Sequence, residues 1–230
     1  MKKIEFIAQV KVIKTFKRIK TINLRIRNGE VEVLCPYFTS KASIKDLIRR
    51  KKQWISINLK NSQRIKKERN HIRNGLIMYK GNYLRIVHKE DFFQKITLRK
   101  KILEITSNII ESEKKYDLIV NWLKCESKKF LTKRIDIISK RVGIKYRSLK
   151  IKPYRSRWGS CSIFGEISLN WKLIMLPVSV IDYVIVHELA HVIFPNHSND
   201  FWNLVRNKDP NYNIKNEWLK KNGLIFINLD

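Results

Sequence analysis

The 230-residue sequence predicts an α+β fold with an N-terminal β-rich region of antiparallel hairpins and one basic helix. Three observations support this prediction. Short extended segments with Asn-Gly and Gly-Asn turns occupy the first 90 residues, a helical apolar stripe follows at 116–142, and another helical segment begins at Pro177. Hydrophobic residues make up 43% of the chain, which is too many for a disordered basic tail.

The first elements are predicted strands joined by a tight turn. Residues 4–13 and 21–26 have the composition of strands. The pair Asn28-Gly29 that follows is a strong hairpin signal, because both residues tolerate a positive φ angle. We expect these strands to form a β-meander.

A basic helix is predicted next, starting near Ser43. Its apolar side chains recur at intervals of three and four residues and form one buried face, which comprises Ile44, Leu47, Ile48, Ile55 and Leu59. The densest run of positive charge then lies on the outward face and comprises Arg49, Arg50, Lys51 and Lys52.

A second hairpin, a strand and a long helix follow. The turn Lys80-Gly81-Asn82 separates two apolar segments and predicts the hairpin, and residues 96–98 predict the strand. Residues 116–142 carry one apolar stripe and are followed by a glycine, which suits the end of a helix.

The last third of the chain alternates between extended and helical segments. Pro177 suits the first turn of a helix and Pro195 disfavours its continuation, so we expect a helix from Pro177 to Phe194. The other expected elements are extended segments at 147–152 and 154–172 and short helices at 201–205 and 216–221, the last ending at Gly223.

A soft domain boundary is expected near residue 90, where the β-rich pattern gives way to the helical one. It divides the chain into a β-rich region at 1–90 and a second domain at 91–230. No linker composition marks the boundary, so the two parts can pack as one body.

The composition limits the location and the partners of the protein. Its 49 Lys and Arg against 20 Asp and Glu leave a formal charge of +29, which makes nucleic acid a candidate partner through a basic surface. The alternative is that the lysines reflect genome composition and are simply solvated. No apolar run of about 18 residues is present, and Glu5 interrupts any signal-peptide core, which predicts a cytoplasmic protein without a membrane partner.

One motif carries chemistry, the H-E-x-x-H segment from His187 through Glu188 to His191. Side chains four residues apart lie on one helix face, about one turn of 5.4 Å pitch apart, so both imidazoles can bind one metal ion. Apolar residues flank the motif on every side, which predicts a buried helix whose polar groups need a partner. A divalent cation would meet that need.

His197 is the candidate third ligand, because it lies six residues after His191 and beyond a Pro-Asn break. Three histidine nitrogens plus one open position is the pattern of a catalytic zinc site. Glu188 is then the expected catalytic base that activates a zinc-bound water. The site is suited to hydrolysis.

Three segments together carry a family resemblance. They are RSRWGSCS at 155–162, ISLNW at 167–171, and residues 181–202 with the three histidines and a Phe-Trp pair. They closely resemble the YgjP-like zinc metallopeptidase family, which is related to the SprT-like and WLM zincin proteases. The resemblance implies a zincin-like catalytic domain at 91–230, in which the active-site helix packs under a small antiparallel sheet. It also implies one zinc ion per chain, with ligands His187, His191 and His197 and with Glu188 as base.

The chain departs from related proteases at one position. Metzincins with this third-histidine spacing carry Gly where this chain has Phe194, and a left-handed turn is disfavoured there. We therefore expect Pro195 and Asn196 to make the turn. A gluzincin-like site with Glu217 as third ligand is the alternative.

Four residues are candidates for supporting roles. Asp182 and Asp200 could accept hydrogen bonds from the ligand imidazoles, although Asp182 could instead interact with the first turn of its helix. Arg157 and Trp158 are candidate substrate contacts. Alternatively, Trp158 is a core residue and Arg157 pairs with an acid.

Three functions remain open at this point. The first is a zinc metallopeptidase that acts on a protein or peptide substrate. The second is a metal-dependent nucleoside triphosphate pyrophosphatase or phosphohydrolase, although no Gly-rich phosphate loop is present. The third is a nucleic-acid-binding module with structural zinc, against which the glutamate at position 188 argues, since binding alone does not require it.

Overall fold

Within residues 10–27, 29–109 and 111–227, which the computed structural model describes, the chain forms ten β-strands and six α-helices. It divides into two compact units, Met1–Arg69 and Asn70–Asp230. The predicted α+β class is confirmed.

The first unit contains a three-stranded sheet of β1 (Val10–Thr15), β2 (Asn23–Arg27) and β3 (Glu30–Pro36). β3 lies between the other two strands. It is also the most deeply buried strand, and its side chains that enter the core are Val31, Val33 and Cys35.

β1 and β2 pair differently with the central strand. β2 and β3 form the predicted antiparallel hairpin, in which Gly29 has a φ angle of +87°. Asn28 and residues 4–9 lie outside the described residues. β1 pairs with β3 in parallel, with Val10 opposite Val31, so the expected meander is wrong. The order places the apolar β3 between two neighbours, which cover its backbone hydrogen-bonding groups on both sides.

The single basic helix that the sequence predicted is two helices, α1 (Lys41–Arg50) and α2 (Lys52–Arg73). The hydroxyl of Ser40 caps α1 by accepting a 3.1 Å hydrogen bond from the backbone N–H of Ser43. Helical geometry is interrupted at Lys51. The predicted apolar face packs into the core of the first unit through Ile44, Ile48, Ile55 and Leu59.

The second unit begins with a four-stranded sheet of β4 (Leu76–Tyr79), β5 (Asn82–Lys89), β6 (Lys95–Arg99) and β7 (Ile102–Thr106). The strand order is β4-β5-β7-β6, with β5 and β7 parallel. The hairpin at 76–89 therefore belongs to the second unit, and the units divide after Arg69 rather than near residue 90. The strand pairing is the reason, because β5 shares its sheet with strands beyond residue 90.

The turn of this hairpin supports the segment that leads to the motif helix. Lys80 and Gly81 both have positive φ angles, 48° and 80°. Their backbone N–H groups donate to the carbonyls of Ile174 and Met175, at 2.7 and 3.1 Å. A Cβ atom on Gly81 would lie 2.8 Å from Cα of Pro177, so only glycine allows this approach.

The remaining elements of the second unit include one long helix that buries a single face and one helix that is almost entirely buried. α3 (Ser112–Val142) is the predicted long helix, and Gly143 ends it with a φ angle of 74°. The elements after it are β8 (Ser148–Lys152), β9 (Gly159–Cys161), β10 (Glu166–Asn170), a 3₁₀ helix (Trp171–Met175), α4 (Val178–Ala190), α5 (Asn199–Lys208) and α6 (Tyr212–Ile227).

Three details of this region differ from the prediction. The sheet is mixed, because β10 pairs in parallel with β8 and antiparallel with β9. α4 ends at Ala190, since the next turn tightens to hydrogen bonds between residues three apart. α6 continues through Gly223, where a Cβ atom would lie 3.0 Å from Nε1 of Trp158. This glycine permits a close contact and does not end the helix.

No helix among the described residues is both long enough and apolar enough to cross a membrane.

Candidate active site

α4 presents the H-E-x-x-H motif from within the core of the second unit. The helix is apolar on all sides and almost entirely buried, as the sequence predicted. His187 lies in the last turn of this helix, and His191 is the residue that caps its C-terminal end. Their rings are 4.9 Å apart, so they share one face of the helix.

His197 completes a histidine cluster with His187 and His191. The ligand nitrogens of the three rings all lie within 4.8 Å of one another, and Nε2 of His197 is 3.1 Å from Nε2 of His187. His197 directly precedes Ser198, whose hydroxyl caps α5 by accepting from the backbone N–H of Phe201 at 3.3 Å. The chain thus returns to the cluster where a new helix begins.

Aromatic rings from α5 hold the histidine cluster in place. Phe201 stacks against His191 with ring centroids 4.5 Å apart, and Trp202 stacks against His197 at 5.6 Å. Phe201 is fully buried. The Phe-Trp pair of the sequence therefore restricts the ring orientations of two candidate ligands.

Glu217, the alternative third ligand, lies outside the cluster. Its carboxylate is exposed and accepts a 2.8 Å hydrogen bond from Lys220. Among the described residues, only the three histidines form a group with metal-binding geometry.

The path from His191 to His197 uses the backbone of Phe194. Nδ1 of His191 donates to the carbonyl of Phe194 at 3.0 Å, which leaves Nε2 of His191 free to bind a metal. Positive φ angles outside glycine occur, within the described residues, at Lys80 and Lys100, so Phe194 makes no left-handed turn.

The two aspartates predicted to support the ligands lie elsewhere. Asp182 accepts two 2.6 Å hydrogen bonds from the guanidinium of Arg134, and this ion pair joins α3 to α4. Asp200 is exposed in the first turn of α5. Nδ1 of His187 is buried and has no hydrogen-bond partner among the described residues. The expected carboxylate on this ring is therefore not found there.

The electrostatics of the histidine cluster suit a cation. Burial, with smaller effects of His191 and His197, lowers the pKa of His187 to about 3. Burial also lowers the pKa of His191. Both rings are therefore neutral at pH 7, with lone pairs available, and neutral imidazole is a preferred zinc ligand. The donor set fits one zinc ion.

Glu188 lies beside the histidine cluster with its carboxyl group buried. Burial raises its pKa to about 8, while the charge of Arg157 acts in the opposite direction. The carboxyl group packs against Gly159 so closely that a Cβ atom on Gly159 would lie 2.5 Å from Oε1. This role of Gly159 was not predicted, although a glycine at the start of a strand was an available signal.

A cavity of about 250 Å³ adjoins Glu188 and His187. Both candidate substrate contacts line it, together with residues of α4 and α6, and the lining includes Arg157, Trp158, Tyr183, Val184, Asn216 and Leu219. Arg157 is exposed, and its guanidinium lies 5.4 Å from the ring centroid of Tyr154. Trp158 is half-buried against Gly223.

Asn170 holds the segment that carries Arg157 and Trp158. It is fully buried, and its side-chain amide donates to the carbonyls of Tyr154 and Arg157 at 2.9 and 3.0 Å. Its oxygen accepts from the backbone N–H of Lys172 at 3.1 Å. This role of Asn170 was not predicted, although a buried amide in a strand needs such partners.

Comparisons with known proteins identify the family of the chain. A family model described as YgjP-like, metallopeptidase domain, matches residues 20–222, which include the histidine cluster and Glu188. No curated protein matches the chain. Among solved structures, the metallopeptidase zymogen of Pyrococcus abyssi abylysin is similar, with a TM-score of 0.35 and 21% sequence identity over 40% of this chain and 93% of that chain. Because the family model covers most of its length, the chain belongs to the YgjP-like metallopeptidase family.

Proposed function

We propose that the protein is a zinc-dependent peptidase in which His187, His191 and His197 hold one zinc ion and Glu188 is the catalytic base. The observation that carries this proposal is the meeting of three imidazoles with one buried carboxyl group at the end of α4. The group has three candidate ligands among the described residues, and a structural zinc site would need a fourth from the protein.

A zinc ion bound there would supply Lewis acidity, which lowers the pKa of water and polarises a carbonyl group. Glu188 then takes the proton of the attacking water and delivers it to the leaving nitrogen. Burial raises the pKa of Glu188, and the charge of Arg157 acts in the opposite direction. A zinc ion beside it would also favour the ionised carboxylate, which can accept a proton and then return it.

The residues around the cavity position the substrate. Arg157 lines the cavity and its charge acts on Glu188, and Trp158 supplies an apolar wall. Tyr183 is buried, and burial raises the pKa of its hydroxyl above the usual range, so this hydroxyl stays protonated. These groups can bind a peptide through an apolar side chain and hydrogen bonds to its backbone.

Two other functions, hydrolysis of a nucleoside triphosphate and binding of nucleic acid with a structural zinc, remain predictions for the same site. Arg157 would suit a phosphate as well as a peptide carbonyl, because guanidinium pairs with both. A nucleic-acid-binding module with structural zinc would leave Glu188 without a use. Cytoplasmic location also stays a prediction.

The test incubates the zinc-loaded full chain with a casein-type protein, nucleoside triphosphates and a DNA-bound protein, each beside Glu188→Gln. We expect cleavage of the protein substrate, and a loss of about 10²- to 10⁴-fold in Glu188→Gln, which should retain its zinc. Consumption of the triphosphate alone would select the second function. Zinc retention without hydrolysis of any substrate would select the third, and equal rates in Glu188→Gln would remove the proposed base.

A further inference from the structure

The first unit displays three aromatic side chains on its surface. Phe16, Tyr37 and Phe38 are 70%, 49% and 87% exposed. Phe16 and Tyr37 stack with ring centroids 4.2 Å apart and planes within 18° of parallel, and Phe38 contacts both edge-on, at 6.0 and 5.5 Å. We call these three residues the aromatic platform. Exposed aromatic rings that cluster in this way commonly mark a binding surface.

The parallel pairing of β1 and β3 builds the aromatic platform. Its register ends with Thr15 opposite Pro36, so the next residue of each strand, Phe16 and Tyr37, continues side by side. The turn after Pro36 is closed by a 3.1 Å hydrogen bond from the N–H of Thr39, which keeps Phe38 next to the other two rings. The rings are thus fixed by the sheet.

Positive charges lie close to the aromatic platform in the sequence. Residues 14–20 contain four basic residues and no acidic one, and Lys14 reaches across to donate to the carbonyl of Thr39 at 2.9 Å. Lys17 and Lys20 are exposed, and neither forms an ion pair with a carboxylate within the described part of the chain. The whole unit, residues 1–69, has 20 Lys and Arg against 5 Asp and Glu.

We propose that the aromatic platform and these cations bind single-stranded nucleic acid. Unpaired bases can extend the existing stack of Phe16 and Tyr37, and lysines beside the rings can pair with the phosphates between those bases. In a duplex the bases are already stacked on one another, so the rings would contribute less. An acyl chain has no flat face to place on a ring pair that is nearly parallel, which favours bases over a membrane surface.

This inference is independent of the proposed hydrolysis, because the rings and cations belong to the first unit and the histidine cluster belongs to the second. Binding can therefore be measured whether or not the protein cleaves peptides.

The experiment measures the fluorescence anisotropy of a labelled oligothymidylate with the zinc-loaded full chain, at several salt concentrations. Replacing both phenylalanines by alanine (Phe16→Ala with Phe38→Ala) should lower the affinity by about 5- to 150-fold, the effect of losing a stacking surface. The slope of log affinity against log salt should stay the same, because no charge is removed. Phe16→Trp keeps a ring and should keep the affinity.

One matched control and one charge variant make the result specific. Phe92→Ala with Phe93→Ala removes two aromatic rings of the second unit that are 93% and 78% exposed, and it should leave the affinity unchanged. Lys17→Gln with Lys20→Gln should flatten the salt slope by about 1.4, the value for two phosphates on a single strand.

Several results would overturn the inference. They are an unchanged affinity after loss of both rings, an equal loss in the Phe92 and Phe93 control, and a preference for duplex that depends on the rings. Anionic phosphatidylserine vesicles provide the remaining comparison. If the double alanine variant loses vesicle binding and keeps oligonucleotide binding, the aromatic platform is a membrane contact.

Discussion

The two units differ in where they keep their charged groups. Residues 1–69 hold 20 Lys and Arg against 5 Asp and Glu, whereas residues 70–230 hold 29 against 15, so the shorter unit carries slightly more than half of the net charge. Of the charged side chains that are buried among the described residues, Glu32 lies in the first unit and Lys172, Glu188 and Asp209 lie in the second. The charged side chains of the first unit therefore lie mainly at its surface, whereas several in the second unit lie inside the fold.

The buried charges of the second unit differ in their surroundings. Asp209 accepts hydrogen bonds from Lys215 at 2.6 and 2.8 Å, and Lys172 donates to the carbonyl of Ile227 at 2.8 Å. These groups have the partners that burial requires. Glu188 differs, because burial raises its pKa to about 8 and the charge of Arg157 only partly opposes this. A perturbed carboxyl group in a cleft, beside three histidines, is characteristic of an active site.

The largest expected effect belongs to the second unit alone. His197→Ala should lower zinc affinity by more than about 100-fold, because even residues behind the ligands contribute about 10- to 100-fold. His88→Ala, which removes a histidine outside the cluster, is the control and should retain one zinc per chain. Metal analysis after dialysis measures both. Undiminished zinc in His197→Ala would contradict the ligand assignment. If His197→Ala also lost oligonucleotide binding, zinc binding and oligonucleotide binding would not belong to separate units.

The second-largest effect is expected when a cluster of four basic residues in the first unit is neutralised. Arg49, Arg50, Lys51 and Lys52 are exposed, as predicted, although Asp46 pairs with Arg49 at 2.8 Å and with Arg50 at 2.9 Å. Neutralising all four should flatten the salt dependence of nucleic-acid affinity by at most about four phosphate equivalents, and by less if the pairs with Asp46 persist in the complex.

The control for this prediction neutralises four exposed lysines of the second unit, Lys128, Lys133, Lys140 and Lys145. Equal flattening in the two variants would mean that binding follows total charge and that the first unit has no special role. Measurements at about 0.15 M salt are the most informative, because charges further apart than about 8 Å are screened there.

A smaller effect is expected for the glycine that contacts Glu188. In Gly159→Ala the added methyl would overlap the carboxyl group, which costs about 1–3 kcal/mol of unfolding free energy and displaces the base. We expect turnover to fall by about tenfold with the zinc retained. Gly143→Ala has open space at Cβ but a φ angle of +74°, so it should cost about 1 kcal/mol with turnover unchanged. Similar turnover in the two variants would contradict a role in catalysis for the contact between Gly159 and Glu188.

The histidine cluster could be predicted because its chemistry is local in sequence. His187 and His191 share a helix face by their spacing alone, and His197 follows six residues later, beyond the Pro-Asn break. The long helix and its end at Gly143 could be predicted for the same reason, since apolar period and helix stop are both local signals.

The remaining features depend on contacts between distant segments. The sequence contains no signal that β1 pairs in parallel with β3, so the side-by-side positions of Phe16 and Tyr37 could not be predicted. Asp182 was a candidate partner of the ligand imidazoles or of the first turn of its helix, yet Arg134 of α3 binds its carboxylate. Pairing of a charge with its partner across helices requires the tertiary packing.

The smallest expected effect tests whether polar groups inside the second unit make stability depend on pH. The hydroxyl of Tyr79 is buried and donates to Oε2 of Glu126 at 3.1 Å. Burial, followed by the negative charge of Glu126 and this hydrogen bond, raises the pKa of Tyr79 from 10.0 to about 12. The folded state thus favours the protonated phenol, so its stabilisation is complete below about pH 10 and is lost as the pH rises through about 12.

Tyr79→Phe should cost about 1 kcal/mol of unfolding free energy at pH 8 and should make the alkaline loss of stability less steep. Urea unfolding between pH 8 and 11 measures both changes. Tyr37→Phe, at an exposed position of the first unit, is the control and should follow the wild-type curve. If Tyr79→Phe loses stability with pH as steeply as the wild type, this buried pair makes no contribution to the pH dependence, and the contrast between the two units is then limited to the active site.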